Sequence, residues 1–231
     1  MPIFIGFVEA GVPLGVTFSF LISSPMVNEV ALGMLWLTFG WKIALIYIAS
    51  GVIVAIIGGT ILGRLKLEHL VEEYVYQITA SQCGCGTDNP QMPWKDRIDQ
   101  SIAYTKQIFT KVWLWVVIGV GIGAAMHGYA PAGFLTQYAG PANPLAVPLA
   151  VVIGIPLYSN AAGLIPVVKE LVRTGMAMGT ALAFMMAVTA LSLPEAIILK
   201  QVLKPKLLAV YFGIVAVAII CVGYLFNMII L

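Results

Sequence analysis

The sequence predicts an all-α polytopic membrane protein made of two inverted repeats with broken or re-entrant helices. Three observations predict it. First, 61% of the 231 residues are hydrophobic and only 10% are charged, where a soluble domain has roughly 25% charged residues; mean hydropathy is +0.99. Second, apolar segments recur at lengths suited to a bilayer. Third, residues 2–60 align without gaps onto residues 166–224.

The apolar segments fall at 12–40, 42–63, 110–129, 143–165, 175–199 and 206–231. A helix rises 1.5 Å per residue, so about 20 residues cross a hydrocarbon core about 30 Å thick. Segments 42–63, 110–129, 143–165 and 206–231 fit single crossings. Segment 12–40 is too long for one straight crossing, and Pro25, Asn28 and Glu29 interrupt it. Segment 175–199 is interrupted by Thr189, Ser192, Pro194 and Glu195. Both are expected to break or to re-enter. The chain accordingly divides into a first membrane repeat (1–63), a cytoplasmic loop with an amphipathic helix (64–109), two connecting crossings (110–165) and a second membrane repeat (166–231).

The long polar region opens as a continuation of the preceding helix, "RLKLEHLVEEYVYQITA", and passes through the loop "CGCGTDNPQMP". In "WKDRIDQSIAYTKQIF", Trp94, Ile98, Ile102 and Phe109 lie near one helical face with charges opposite. That pattern reads as an interfacial helix.

The internal repeat rests on an offset of 164 positions. It pairs Pro2 with Pro166, Val8 with Val172, Gly11 and Gly15 with Gly175 and Gly179, and Phe20 with Phe184. It also pairs Lys42 with Lys206, Tyr47 with Tyr211 and Gly59 with Gly223. The two glutamates do not align: Glu29 faces Leu193, and Glu195 lies two residues on.

Basic residues orient the segments. Arg64, Lys66, Lys95, Arg97, Lys106 and Lys111 put the long loop in the cytoplasm. The uncharged connector "GYAPAGFLTQYAGPAN" is then outside, and a crossing over 143–165 returns Lys169 and Arg173 to the cytoplasm. Lys200, Lys204 and Lys206 stay inside only if 175–199 is a re-entrant hairpin, which is the expectation. The first hairpin enters from outside, so the two units face opposite ways. Inverted repeats with discontinuous helices are a transporter architecture, with the site near the midplane where the breaks meet. Broken backbone at that depth belongs inside protein or beside a water-filled cavity.

Four motifs carry a resemblance: "GVPLGVTFSFLISSPMVNEVAL", "SQCGCGTDN", "GIPLYSNAAGLIP" and "GTALAFMMAVTALSLPEAIILKQVLKPK". The chain resembles the predicted permeases of the organoarsenical-permease superfamily, in particular their YraQ-like branch, over nearly its whole length. The resemblance implies a polytopic inner-membrane permease. The arsenic branch of that superfamily exports trivalent organoarsenicals, whereas the YraQ-like branch has no settled substrate. Two departures stand out. Members carry more sequence before the first repeat, ending in a Cys-Ser-Cys hairpin, so a start at Met1 is expected to be truncated or late. The arsenic branch also has a cysteine in a Tyr-Val-Cys motif where this chain has Tyr158, Ser159 and Asn160, which argues against arsenical binding.

Glu29 and Glu195 head the candidate path residues. A charged side chain at the bilayer centre costs at least about 2.5–3.5 kcal/mol, so each acid either faces a cavity and titrates there, or caps a half-helix whose dipole favours it. Ser23, Ser24, Asn28, Ser159, Asn160, Thr189 and Ser192 supply neutral oxygens and amides for a small solute, or else satisfy broken backbone. Gly11, Gly15, Gly175 and Gly179 have small-xxx-small spacing and read as close helix packing. Met176, Met178, Met185 and Met186 read as core filling. Cys83 and Cys85 are too few ligands for a closed zinc site; they read as free thiols, or as a site that exchanges with a thioredoxin-like partner or passes on soft cations. His127 reads as interfacial.

The expected function is permeation of a small solute across the cytoplasmic membrane by alternating access, with no catalysis, no cofactor and no nucleic-acid partner. The partners are the lipid bilayer, the solute and, as an option, a second copy in a homo-oligomer. No G-x4-G-K-[ST] loop is present, which excludes a built-in ATPase of that type. Two rival readings stand beside this: a membrane thiol–disulfide electron carrier, and one half of a two-chain permease.

Overall fold

In lipid a backbone must satisfy its own polar groups, and a chain this apolar does so as helices. The computed structural model describes residues 2–65, 70–71, 143–157, 159–200 and 202–230, with single positions at 98, 102, 106, 110, 113, 114 and 117. The helices are α1 (Pro2–Glu9), α2 (Leu14–Met26), α3 (Glu29–Phe39), α4 (Trp41–Arg64), α5 (Ala146–Gly154), α6 (Ala161–Arg173), α7 (Met178–Ala190), α8 (Leu193–Leu199) and α9 (Pro205–Ile229). Among the described residues the only β pairing is an isolated antiparallel bridge between Val71 and Leu203. The all-α expectation holds. The loop cysteines Cys83 and Cys85, Tyr158, His127 and most of 94–129 lie outside the described residues.

Among the described residues, three stretches are long and apolar enough to cross a membrane: Trp41–Arg64, Met178–Leu199 and Pro205–Ile229. The pair α2–α3 makes a fourth, bent by 45° at its break. Its break sits at the middle of α4, because a Cβ on Gly51 would meet Met26 Cβ at 3.3 Å and Val27 Cγ2 at 3.8 Å. The start of α2 lies at the end of α4: a Cβ on Gly15 would meet Gly59 O at 2.9 Å and Gly63 Cα at 3.1 Å. So α2–α3 runs antiparallel to α4 along its length, and the turn between them is made at Gly40, whose φ of 92° suits a residue without a Cβ.

The offset seen in the sequence recurs in the helices. α2 begins at 14 and α7 at 178; α3 at 29 and α8 at 193; α4 at 41 and α9 at 205. Gly179 packs against Gly223 and Asn227 as Gly15 does against Gly59 and Gly63. This part of the small-residue expectation is met. Gly11 and Gly175 differ: nothing lies within 4 Å of an added Cβ, and their φ values are 73° and 101°. They are turn residues ahead of α2 and α7, not packing residues.

Two other expectations change. Met178–Leu199 runs on across its break as one stretch of 22 residues. That is a full crossing by length, so a reversal within 175–199 is not needed. Segment 143–165, expected as one crossing, is divided into α5 and α6. Pro156 has no N–H to continue α5 and its ring crowds the preceding turn. Asn160 then starts α6 afresh, its side chain accepting from the Ala162 N–H at 3.2 Å.

α7 is the centre of the described helices. Every residue from Gly179 to Ala190 is buried, among them Met185 and Met186, as expected of core methionines. It packs on α9, α5, α6 and α2. α4 and α9 touch where Gly58 faces Ile214 Cγ2. At one end, the Lys204 N–H donates to the Leu70 carbonyl at 2.9 Å, so the chain just after α4 is tied to the chain just before α9.

Candidate functional site

Each broken span restarts on a polar cap. Pro25, near the end of α2, carries no N–H and weakens the helix there. Asn28 is extended (φ −118°, ψ 124°), and its Oδ1 accepts from the Val30 N–H at 2.9 Å and the Ala31 N–H at 3.1 Å. In the second half Ser192 holds the equivalent place: it is extended (φ −64°, ψ 143°), and its Oγ accepts from the Glu195 N–H at 3.4 Å. Pro194, at the start of α8, cannot supply the N–H that would have continued α7. Asn28, Asn160 and Ser192 therefore all serve as caps that satisfy broken backbone.

Two breaks meet directly. The Leu193 N–H, first in α8, donates to the Ile155 carbonyl just past α5 at 2.8 Å. The end of α5 is pressed on α7, since a Cβ on Gly154 would meet Ala187 Cβ at 3.0 Å. The α5–α6 and α7–α8 breaks thus form one locus, held by backbone from both.

The candidate residues are distributed unevenly around the breaks. Thr189 and Ser192 are buried, and Glu195 is half-buried in the first turn of α8. Thr189 Oγ1 donates to the Met185 or Met186 carbonyl at 3.0 or 3.1 Å. Ser159 is half-buried beside the exposed Asn160. In the first half, Ser24 and Glu29 are exposed, while Ser23 is half-buried and donates to the Phe20 carbonyl at 3.1 Å. Glu29 opens α3 as an exposed acid in its first turn, where the helix dipole favours it. No group of three or more His, Cys, Asp or Glu able to hold a metal occurs among the described residues. Cys221 is an exposed free thiol on α9.

The sequence reading missed two residues. Tyr47 on α4 and Tyr211 on α9 are 1% and 0% exposed, and neither hydroxyl has a hydrogen-bond partner among the described residues. Tyr47 lies beside Thr189. Tyr211 lies within electrostatic reach of Glu195, and its ring is 5.5 Å from that of Phe18. Leaving a buried hydroxyl unpaired costs about 1–3 kcal/mol. The signal that could have found them was on the page: they align at the repeat offset, and tyrosine rather than phenylalanine stands at both places.

The chain is similar to known proteins over its length. A family model described as a predicted permease matches residues 1–228. The UPF0718 protein MJ0584 of Methanocaldococcus jannaschii is 23% identical over 283 residues, covering 99% of this chain and 77% of that protein. The UPF0718 protein YraQ of Escherichia coli is 25% identical over 227 residues, covering 96% of this chain and 61% of that protein. A Streptococcus mutans chain, proposed as a subunit of a two-component membrane permease complex, is 25% identical over 139 residues, covering 59% of this chain and 44% of its own length. No solved structure matches.

Proposed function

The chain belongs to this predicted-permease family, and from that premise we propose that it moves a small solute across the cytoplasmic membrane by alternating access through its helix breaks. Membership of the family makes it a multi-pass membrane protein of transport; the mechanism is our reading. The observation that carries it is the meeting of the α5–α6 and α7–α8 breaks at the Leu193–Ile155 hydrogen bond. Discontinuous helices that converge within the bilayer are how transporters of this architecture present backbone and side-chain oxygens to a solute.

The two repeats are read as inverted. The Lys204–Leu70 pairing ties the end of α4 to the start of α9, which favours opposite directions for these two equivalent helices. Arg64, Lys200, Lys204 and Lys206 then share one face, taken as cytoplasmic because basic residues collect there. Lys42, Lys169 and Arg173 fall on the other face. Arg173 and Lys169 thereby change sides from the sequence expectation, because α7–α8 is read as a full crossing rather than a hairpin. Single cysteines replacing Lys42 and Lys206 in a chain freed of Cys83, Cys85 and Cys221 should label from opposite sides of sealed vesicles. Labelling of both from one side rejects the inversion.

For the path itself, Ser192→Cys in the same background is the test. A membrane-impermeant maleimide should reach it from either side of proteoliposomes, as the site opens alternately. A thiol at this position that reacts from neither side leaves no aqueous route through the breaks. The Streptococcus mutans relative favours one further reading, in which this chain is one of two in a permease. Co-purification of a second membrane polypeptide at fixed stoichiometry would support that.

A further inference from the structure

We propose that the exposed face of α6 is the wall of a water-filled vestibule leading from one membrane face down to the locus of the breaks, so that the solute arrives as a hydrophilic species from water and not through the lipid. This deepens the permease reading and rests on it.

The depth of α6 follows from its neighbours. The helix starts shortly after Ile155, whose carbonyl holds the Leu193 N–H at the break of the α7–α8 stretch. Its end turns back tightly into α7: the Met176 N–H donates to the Leu171 carbonyl at 3.0 Å, and Gly175 takes a φ of 101°. α6 and α7 are each 13 residues long and pack on one another. At 1.5 Å per residue each covers about 20 Å, more than half of a hydrocarbon core about 30 Å thick. α6 therefore runs from the depth of the breaks to the end of the span.

Its open face differs in chemistry from those of the long spans. α4 exposes Leu45, Ile53 and Ile56, and α9 exposes Val210, Val217 and Leu225, side chains as apolar as the lipid tails they would meet. α6 exposes Gly163, Pro166, Lys169 and Arg173, and no large apolar side chain on it is exposed. These positions, with Asn160 ahead of them, recur every three or four residues and so share one side of the helix. Leu164, Val168 and Leu171 are buried on the other. Gly163 stands ten residues before Arg173, about 15 Å down the helix axis. Pro166, inside α6, has no N–H to give the Ala162 carbonyl and leaves an acceptor open at this depth. Lipid tails offer such a group no partner, and charges facing them are strongly disfavoured. Water satisfies both. Glu170 and Arg173, paired with each other and solvated, mark the rim.

Single cysteines in the full chain, freed of Cys83, Cys85 and Cys221, test this in sealed vesicles of either orientation. The probe is a membrane-impermeant maleimide. Gly163→Cys and Pro166→Cys should react from the same side as Lys169→Cys and within tenfold of its rate. Val217→Cys and Ile53→Cys, on the apolar faces, should react at least a hundredfold more slowly. Gly163→Phe added to Ser192→Cys should slow labelling of that thiol at least tenfold from the Lys169 side and leave the rate from the other side unchanged. Full labelling after denaturation checks each thiol. On the native chain, hydroxyl-radical oxidation should be greater at Pro166 than at Val217, which needs no variant to fold. Reaction of the α6 thiols as slow as that of Val217→Cys overturns the proposal, since lipid or another segment then covers this face. So does reaction from the side opposite Lys169→Cys, an unchanged Ser192→Cys rate behind Gly163→Phe, or equal oxidation of Pro166 and Val217. If the α6 thiols are unreactive while Ser192→Cys reacts from both sides, the vestibule falls and the permease reading stands. If Ser192→Cys is also unreactive from both sides, both fall.

Discussion

The broken span of the first half and that of the second share a register and a capping device, yet they live in different surroundings. α7 is buried from Gly179 to Ala190, whereas α3, after the first break, buries only Ala31 and Leu35. Trp36 and Leu37 of α3 are 57% and 88% exposed. The first span bends by 45°, and the second runs on as one crossing. A repeat therefore fixes where helices stop and start, while packing decides which copy of a polar residue is enclosed. Thr189, Ser192 and Glu195 lie against the interior; Ser24 and Glu29, near the corresponding break, do not. The comparison separates the candidate residues by burial: those of the second break are enclosed, and Glu29 is not.

The largest effect should come from what the halves have in common. A Cβ on Gly59 would collide with Ser19 Oγ and come to 2.5 Å from the Gly15 carbonyl; on Gly223 it would come to 2.5 Å from Val147 Cγ1 and 2.8 Å from Ala183 Cβ. Overpacking of this kind costs about 1–3 kcal/mol, occasionally more. Gly59→Leu and Gly223→Leu should each lower the unfolding midpoint of the purified chain by comparable amounts, or prevent accumulation in the membrane. Tolerance of one and failure of the other would show that the equivalent helix pairs are not equally close.

Transport should separate what stability does not. Glutamine keeps the shape of a glutamate but cannot cycle a proton. Glu195→Gln is expected to slow solute exchange severalfold and flatten its pH profile, while Glu29→Gln should leave both near native, as an exposed residue in a helix first turn would. The reverse ranking, read from pH profiles of the two variants, would return the site to the first break.

Much of this was legible in the sequence. The apolar segments, both broken spans and the register of the repeat all follow from side-chain type, since Pro25, Asn28, Ser192 and Pro194 act locally. Gly15 and Gly179 were legible as packing residues for the same reason. What could not be read was anything set by distant neighbours. The division of 143–165 needed Pro156 to be weighed against an otherwise uninterrupted apolar run. Gly11 and Gly175 have the spacing of packing residues but serve turns, a distinction that depends on φ. Tyr47 and Tyr211 look like ordinary aromatic core until burial and the missing partners are known. Burial also ranks the two glutamates, and no local pattern around Glu29 announces that its helix lies at the periphery.

The caps offer a finer comparison. Asn28 accepts two N–H groups, at 2.9 and 3.1 Å, and Ser192 one, at 3.4 Å. Loss of such a cap costs about 1 kcal/mol. Asn28→Ala should therefore lower the unfolding midpoint more than Ser192→Ala. Exchange should show the opposite order, because Ser192 is buried at the locus where two breaks meet as well as capping α8. Equal effects of both variants on both readouts would mean that the two breaks are interchangeable after all.

The smallest effect is confined to one half. Glu170 and Arg173 pair on the exposed end of α6, with Arg173 Nη2 at 2.7 Å and Nε at 2.8 Å from the carboxylate. Gly6 and Glu9 hold the equivalent positions in α1, so the first half has no counterpart to lose. The hydrogen bonds from Arg173, aided by its charge, hold the Glu170 carboxyl below its ordinary range. A carboxyl depressed in the folded state adds stability that is present above its unfolded pKa and fades as pH falls through the lower folded value. The contribution is therefore intact at neutral pH and disappears only in acid. Because both side chains are solvated, screening leaves it small. Arg173→Ala should raise the Glu170 carboxyl back toward its ordinary range, as followed by the carboxyl carbon shift on acid titration. The midpoint at pH 7 should barely move, and solute exchange should not change. A clear loss of exchange in Arg173→Ala would make this end of α6 part of the transport cycle, and the second half would then differ from the first in its gate as well as in its enclosure.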